Sequence, residues 1–474
     1  MDDPLAILMR PPPNEAPTDR EKRMRREQAA RLVSDSIDAE IAREAQARHA
    51  ACRGKELRLL LLGQAESGKS TLLKQFQMLY APHSLDAERA AWRGVVFLNV
   101  IKSLHAICDA HDAEFVTTPV FEDPWVHDFR ASTSSRDQLA VTKLRLVPLL
   151  GLESTLAARI GEGFTVAGRT EVCVRRGWQD TVVWRPAKRK PKASSRSGSA
   201  DGRLDDPHSD IQVALADSLP LIQQLWHHPS VKHLIQRRRL RLEDAGSFFL
   251  DEITRIAQTG YLPTDDDILR ARIRTIGISE WCFQFTCPGA RDICNWRLYD
   301  VGGARSQRPN WAPYFEDATA IVFLAPISAY DQYLEEDPQM NRIHDSLQLW
   351  TQITTSPILK DVHLVLFLNK CDVLRAKLAA GIKVKKYITS FGDRPNEYNS
   401  VSHYFRAYFS QVFKRNNTDS KRELYCHLTS VIVRYLTDPG CPLIAPQDTE
   451  ATQSIILSVR DGLFRNNLRT TGLI

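Results

Sequence analysis

The sequence Gly63-Gln64-Ala65-Glu66-Ser67-Gly68-Lys69-Ser70 follows directly on the apolar run Leu57 to Leu62. Its spacing, Gly-x-x-x-x-Gly-Lys-Ser between a predicted strand and a predicted helix, is typical of a P-loop, whose backbone N–H groups surround a phosphate. In such a loop the Lys69 ammonium reaches the outer phosphates and the Ser70 hydroxyl is a ligand of Mg²⁺. A strand-to-helix turn without a ligand is the alternative, and the complete pattern with correct flanks makes it the weaker one.

A second apolar run, Val362 to Leu368, ends in Asn369-Lys370-Cys371-Asp372. A carboxylate in the plane of a base accepts hydrogen bonds from the N1–H and 2-amino groups of guanine. Adenine has no matching donors and would leave that carboxylate buried and unpaired. The four-residue pattern alone is typical of a surface strand end. Downstream of a P-loop it predicts binding of GTP and GDP rather than ATP.

Residues between these motifs have the pattern of a γ-phosphate sensor. The run Trp296 to Tyr299 leads into Asp300-Val301-Gly302-Gly303, where a carboxylate can hold Mg²⁺ through water and a glycine N–H can face the phosphate. Upstream, Ile268 to Ile278 contains Thr275, a candidate metal ligand, and Arg272, a candidate to stabilise charge on the transferred phosphoryl group. Taken alone, this upstream segment is more typical of a solvated basic strand edge.

In this order, the motifs resemble those of heterotrimeric G protein α subunits, from about residue 30 to the C-terminus. The resemblance implies an α/β fold: a Ras-like P-loop GTPase domain with a mostly parallel sheet, interrupted by an inserted all-α helical domain. The matching segments are Ala65 to Thr71, Leu269 to Arg272, Thr275 to Ile278, Asp300 to Gly303, Ser328 to Asp331, Glu336 to Asp337, Met340 to His344, Asn369 to Asp372, Phe464 to Leu468 and Gly472 to Ile474.

Carried over residue by residue, the resemblance implies catalytic roles for Arg272, as an arginine finger in the same chain, and for the position of Ala304. It implies Mg²⁺ ligands at Ser70 and Thr275. The implied contacts with GTP or GDP are Glu66, Ser67, Gly68, Lys69, Ser70, Thr71, Asp244, Leu269, Arg270, Arg272, Thr275, Asp300, Gly303, Asn369, Lys370, Asp372 and Val431. The implied partners are a βγ dimer, a seven-helix G protein-coupled receptor and a downstream effector, with no nucleic acid among them.

The length of 474 residues is too great for one ordinary hydrophobic core, so two or three domains are expected. We predict a disordered N-terminal segment over residues 1–18 and an N-terminal helix over 19–55. The Ras-like domain is predicted over 56–83 and 266–474, and the inserted helical domain over 84–265. Within the insertion, a basic, Ser-rich tract at about 185–210 is expected to be a disordered loop, because its residues 186–199 include no large apolar side chain. It carries part of the net charge of +6.

The N-terminus lacks the usual signals for acylation. Position 2 is Asp2 rather than the glycine that N-myristoylation requires, and no cysteine precedes Cys52. A signal peptide and an apolar run of membrane-spanning length are also absent from the sequence. The nine cysteines lack zinc-ligand spacing, which suits a reducing compartment and leaves Mg²⁺ as the implied metal. We expect a cytoplasmic protein that is peripheral on the inner face of the plasma membrane through its partners.

Ala304 is the departure from the family pattern with the clearest chemical consequence. The family has a glutamine there, which orients the attacking water, whereas a methyl group can neither donate to the γ-phosphate nor accept from water. We therefore predict slow intrinsic hydrolysis and a GTP-bound state that persists. Val431 replaces a small residue of the family pattern in the segment expected to contact the guanine base. Overpacking of this kind typically costs about 1 to 3 kcal/mol of free energy.

The residues that lock the switch in the family have counterparts at Gly303, Arg308 and Asp345, although the acid is one methylene shorter than the usual glutamate. Trp311 matches an aromatic residue that packs beneath the switch, and an ordinary core tryptophan is the alternative.

Three functions are compatible with these motifs. The first is a signalling GTPase that exchanges nucleotide at a receptor and turns itself off by hydrolysis. The second is a GTP-binding scaffold or long-lived switch with little or no hydrolysis, and Ala304 leaves these two close to parity. The third, an ATP-dependent P-loop enzyme, is disfavoured by Asp372.

Overall fold

The computed structural model describes residues 56–117, 133–166, 169–174, 178–179, 208–236, 244–275, 277–286, 293–417 and 424–430, and a few isolated positions. The predictions for residues 1–18, for most of the helix 19–55, for the basic tract up to residue 207, for Val431 and for the C-terminal tail lie outside these ranges. The chain divides into two compact units, 1–56 with 285–295 and 57–284 with 296–474. Nearly all of the described residues belong to the second unit.

The described strands form two sheets. In chain order they are β1 Glu56–Leu62, β2 Glu162–Val166, β3 Arg169–Val174, β4 Arg274–Thr275, β5 Ile278–Thr286, β6 Ile293–Val301, β7 Ala320–Pro326, β8 His363–Asn369 and β9 Leu424–Leu428. The larger sheet has the order β5-β6-β1-β7-β8-β9, and the smaller one β2-β3-β4. The pairs β1 with β7, β7 with β8 and β8 with β9 are parallel, as predicted for a Ras-like domain.

The parallel register places the functional motifs at one edge of the large sheet. Pro326 lies opposite Asn369, so β7 and β8 end at the same level, and β1 ends three residues earlier, where Leu62 lies opposite Phe323. Ligands of open α/β sheets bind beside the carboxyl ends of the strands. The P-loop after β1 and the Asn369 motif after β8 therefore face the same crevice.

Helices surround the two sheets. They are α1 Lys69–Tyr80, α2 Pro82–Thr117, α3 Thr133–Leu150, α4 Leu152–Ile160, α5 Ser209–Trp226, α6 Pro229–Gln236, α7 Asp244–Asp251, α8 Ile253–Ile256, α9 Asp265–Arg270, α10 Arg342–Thr355, α11 Cys371–Ala379 and α12 Tyr398–Asn416. In the part of the chain that the structure describes, no helix combines the length and apolar character that a membrane crossing requires.

The buried apolar side chains form two separate clusters. One is built from residues between Leu85 and Ala271, and the other from Leu60, Leu62 and residues between Val301 and Phe413. Consecutive leucines of β1 are buried on both faces, which is expected of a central strand in a sheet with both faces covered. The exact domain boundaries stay a prediction, since α2 begins at Pro82 and the proposed boundary between 83 and 84 falls inside that helix.

The insertion contains strands as well as helices. β2 pairs antiparallel with β3, so the region predicted to be all-α includes a β-hairpin. The second strand of this hairpin, β3, pairs in parallel with β4 at Arg274 and Thr275. Sequence periodicity indicated the long helices but not these short strands: β2 and β3 form a local hairpin, whereas β3 pairs with β4 about 100 positions away. α5 begins at Ser209, close to the end of the loop predicted at about 185–210, whose extent stays a prediction.

Asn341 connects the start of α10 to the turn after β7 by two side-chain hydrogen bonds, whose loss should lower the stability of the protein. Its side chain accepts a hydrogen bond from the Ile343 N–H (2.8 Å) and donates to the Tyr330 carbonyl (2.7 Å). Asn341→Ala should lower the free energy of unfolding by about 2 kcal/mol, because it removes a helix cap and unpairs a buried carbonyl. Asn341→Ser keeps the capping acceptor and should lose about half as much. Urea unfolding at fixed GDP concentration measures both, and equal losses would contradict the capping role.

Candidate nucleotide-binding site

The P-loop joins β1 to α1 through backbone angles that only glycine adopts without strain. Gly63 has φ of +142° and Gly68 has φ of +104°. A Cβ at residue 63 would lie 2.4 Å from the Leu324 carbonyl oxygen, and one at residue 68 would lie 2.3 Å from Asn369 Nδ2. The two glycines therefore allow the loop to turn tightly against β7 and the Asn369 motif.

Lys69 is buried at the first turn of α1. Its ammonium donates to the carbonyl oxygens of Gly63 (2.9 Å) and Gln64 (2.6 Å). Burial lowers the pKa of Lys69 to about 8, against the opposing effect of the Asp300 carboxylate. The side chain is therefore still mostly a cation at pH 7 and suits a phosphate. Close by, the buried hydroxyl of Ser67 has no hydrogen-bond partner within the described residues.

Two candidate ligands of Mg²⁺ lie next to each other. The Ser70 hydroxyl donates to Asp300 Oδ2 at 2.6 Å. Asp300 is 2% exposed, burial raises the pKa of its carboxyl, and its Oδ1 has no hydrogen-bond partner among the residues that the structure describes. A hydroxyl beside an under-coordinated carboxylate is the kind of oxygen donor set that Mg²⁺ prefers, so these residues fit the implied metal. Thr275, the other predicted ligand, is described only by its backbone in β4.

Arg272 lies beside the P-loop. Its guanidinium pairs with Glu66 at 2.5 Å, and Arg342 pairs with the other oxygen of the same carboxylate at 3.1 Å. Burial alone would raise the pKa of Glu66, but these two cations hold it well below its usual range. The structure thus brings together residues 66, 272 and 342, which lie far apart in the sequence.

Other predicted contacts are placed differently. The Arg270 guanidinium lies 4.2 Å from the centre of the Phe248 ring and donates to Asp266, so this side chain packs in the helical region. The Leu269 side chain is also buried. Any contact of residues 269 and 270 with a nucleotide would therefore use their backbone. Asp244 begins α7, but its side chain lies outside the described atoms.

The Asn369 motif is connected directly to the P-loop. Asn369 Nδ2 donates to the Ser67 carbonyl (2.8 Å), and its Oδ1 accepts from the Thr429 hydroxyl (3.1 Å). Lys370 has a left-handed φ of +63° just before α11. Asp372 follows in the first turn, 6% exposed, and its N–H donates to the Ser430 hydroxyl (3.0 Å). The base motif is therefore held between the phosphate loop and the residues after β9.

The predicted pairing of Arg308 with Asp345 is confirmed. The guanidinium donates to both carboxylate oxygens, at 2.9 and 2.7 Å, so the shorter acid still reaches its partner. Gly303 packs against the P-loop so closely that a Cβ there would lie 2.4 Å from the carbonyl carbon of Gln64. Trp311 is buried and its Nε1 donates to the Gly302 carbonyl (2.9 Å), so it is both a core residue and a support of the switch.

Two connecting residues were missed from the sequence. Gln64 is buried, and its amide donates to Asp345 Oδ2 (2.7 Å) and to the Arg342 carbonyl (2.5 Å). Arg342 donates in turn to the Ala65 carbonyl at 2.5 Å. Gln64 occupies a variable position of the P-loop pattern, and Arg342 lies in the matching segment Met340 to His344, which by itself does not indicate a contact with the loop. Their contacts couple the phosphate loop to the Arg308–Asp345 pair.

Comparison with known proteins agrees with this geometry. Residues 31–437 match the family model described as G-protein alpha subunit. The chain is 30% identical to a guanine nucleotide-binding protein alpha-4 subunit of Mycosarcoma maydis, over 100% of this chain and 96% of that protein. It is 28% identical to a guanine nucleotide-binding protein subunit alpha of Coprinellus congregatus, over 88% of this chain and 91% of that protein.

The P-loop, the base motif and the mostly parallel sheet define a guanine-nucleotide-binding protein with a Ras-like domain. The chain belongs to the G protein α-subunit family, whose members are GTP-binding signal transducers and GTPases.

The burial of Asp345, which is 1% exposed, generates a second stability prediction. Arg308→Met should lower the free energy of unfolding by about 3 kcal/mol, because it leaves a buried carboxylate without its bidentate partner. The double variant Arg308→Met/Asp345→Leu should recover most of this loss. Denaturant unfolding at a common GDP concentration compares the two, and a double variant no more stable than the single one would contradict the prediction.

Proposed function

We propose that this chain is the α subunit of a heterotrimeric G protein, coupling a seven-helix receptor to an effector, and that its GTP hydrolysis is slow. The slow hydrolysis is inferred from Ala304, which directly follows Gly303, and Gly303 packs against the P-loop. The arginine expected to stabilise transferred charge, Arg272, is retained beside that loop. Activity is therefore reduced rather than abolished.

Each group at the phosphate end has a proposed role. The P-loop N–H groups and Lys69 hold the phosphates, and the Gly303 N–H faces the γ-phosphate. Ser70 and Asp300, with Thr275, are the residues that would hold Mg²⁺. Bound Mg²⁺ supplies positive charge that neutralises the β- and γ-phosphate oxygens. Arg272 moves from Glu66 toward the γ-phosphoryl group and stabilises charge that develops there.

Water positioning is the role without a dedicated side chain. The Ala304 methyl cannot hydrogen-bond, and the amide groups of two nearby glutamines are already engaged. Gln64 donates to Asp345, and Gln307 Oε1 accepts from the Gly277 N–H at 3.1 Å. Replacing either glutamine's partner with a water molecule would break a contact that supports the site. We therefore assign neither of them the missing role.

The base is selected by Asp372. Its position after β8, on a segment tied to the P-loop by Asn369, supports recognition of guanine by the carboxylate. A site built to accept two hydrogen bonds discriminates strongly against a base that lacks the donors. An ATP-dependent enzyme is accordingly disfavoured.

Partners and location follow from membership of the family. We infer a βγ dimer, a G protein-coupled receptor and an effector as partners. We further infer a cytoplasmic location at the inner face of the plasma membrane, reached through these partners. A second candidate function, a GTP-binding scaffold or long-lived switch with little or no hydrolysis, is favoured by the same alanine at position 304.

Restoring the glutamine tests the proposed slow step. Ala304→Gln should raise the single-turnover rate of GTP hydrolysis about tenfold or more, because it supplies a group that orients water. Rapid-quench measurement on GTP-loaded protein gives the rate. Arg272→Ala in the wild-type background is the companion variant and should lower whatever rate remains. A rate that Ala304→Gln leaves unchanged would refute the explanation.

Substitution of Asp372 tests the proposed recognition of guanine. Asp372→Ala should weaken GDP binding by about a hundredfold or more, because the two donors of guanine lose their acceptor. Asp372→Asn, whose amide can donate to the 2-oxo group of xanthine, should prefer xanthosine diphosphate to GDP. Competition against a fluorescent GDP analogue measures both. GDP affinity that is insensitive to both substitutions would place base recognition elsewhere.

A further inference from the structure

Asn99, on α2 of the insertion, makes hydrogen bonds to both backbone groups of Arg272. Its Oδ1 accepts from the Arg272 N–H at 2.8 Å, and its Nδ2 donates to the Arg272 carbonyl at 2.9 Å. The second amide hydrogen is donated to the Val95 carbonyl at 2.8 Å, which anchors the side chain to its own helix. Asn99 is 8% exposed. Both hydrogens of the amide are thus in use, and the geometry of the group is fixed.

The segment before Arg272 is held from a second side by α1. The buried ammonium of Lys74 donates to the carbonyl oxygens of Ile268 (2.7 Å) and Ala271 (2.8 Å), at the end of α9. The same ammonium lies 4.1 Å from the centre of the Trp92 ring. The backbone segment that carries Arg272 is therefore held both by α1, the helix that follows the P-loop, and by α2, the first helix of the insertion.

We propose that Asn99 is a positioning residue for Arg272, an inference that rests on the proposed function of that arginine. Both of its bonds to this segment fall on residue 272 itself, while Lys74 binds only residues that precede it. Because the guanidinium is separated from the backbone by a long side chain, a small shift of the backbone displaces the charged end. A displacement of about 1 Å in a reacting or stabilising group can cost about a hundredfold in rate.

The proposal gives the insertion a part in hydrolysis. Asn99 belongs to α2, so the arginine is aligned only when α2 is packed against the segment after α9. Loosening of this contact would withdraw the arginine from the γ-phosphoryl group, while Arg342 would still pair with Glu66 of the P-loop. Nucleotide affinity and hydrolysis should then respond differently to substitution of Asn99.

The test is a double-mutant cycle in full-length protein that carries Ala304→Gln, where hydrolysis is faster. Asn99→Ala should reduce the single-turnover rate about tenfold and weaken binding of aluminium fluoride to the GDP complex, while GDP affinity stays within about twofold. In an Arg272→Ala background, Asn99→Ala should have little further effect on either quantity. Such non-additivity is expected of two residues that act as a unit, and a general loss of stability would not produce it.

Gln212 offers a matched control. Its buried amide on α5 donates to the Ile256 and Gln258 carbonyl groups, also inside the helical region. Gln212→Ala should therefore lower stability while leaving the rate and the response to aluminium fluoride unchanged. If Asn99→Ala fails to fold, Asn99→Ser replaces it with a smaller polar group and the same expected pattern.

The proposal is overturned if Asn99 substitution leaves the rate and aluminium fluoride binding unchanged, or lowers them equally with and without Arg272. It is also overturned if Arg272→Ala itself changes neither quantity. The outcomes for Asn99 are distinct from failure of the proposed function, which would appear as an Arg272→Ala variant without effect or as loss of guanine-nucleotide preference in the unsubstituted protein.

Discussion

The P-loop depends on buried and half-buried charges, which are held by partners within the loop and by partners far away in the sequence. Glu66 is held by Arg272 and Arg342, and Lys69 by carbonyl groups of the loop itself. A buried ion without a partner is costly, so each pair must be assembled when the domain folds. The pairs stabilise a loop whose tight turns are made possible by Gly63 and Gly68.

These pairs also connect the parts that a switch has to coordinate. Gln64 and Arg342 join the phosphate loop to the Arg308–Asp345 pair, and Asn369 joins the loop to the base segment. A conformational change of the phosphate loop would therefore act directly on residues that contact the Arg308–Asp345 pair and the base motif. The family relationship gives this arrangement its function, since a nucleotide-dependent conformation is what a signal transducer requires.

The motifs that contact ligand could be predicted from the sequence because they are local. The P-loop and the motif Asn369 to Asp372 at the end of β8 are each formed by one short turn of the backbone. Both motifs lie at strand ends, which places them at one edge of the sheet. Pairing of Arg308 with Asp345 was predictable only through the family resemblance. Gln64 and Asn99 were not predictable, because their roles consist of hydrogen bonds to residues about 170 to 280 positions away. The hairpin of the insertion was also missed, although its strands β2 and β3 are neighbours in the sequence.

The central claim is that this chain binds guanine nucleotides selectively and keeps GTP once it is bound. The most direct measurement incubates full-length protein with equal concentrations of GTP and ATP and Mg²⁺, removes the excess, and follows the bound nucleotide by chromatography over time. We expect guanine nucleotide almost alone, with GTP still the main species after many minutes. Comparable amounts of bound adenine nucleotide, or conversion to GDP as fast as the first time point, would contradict this account.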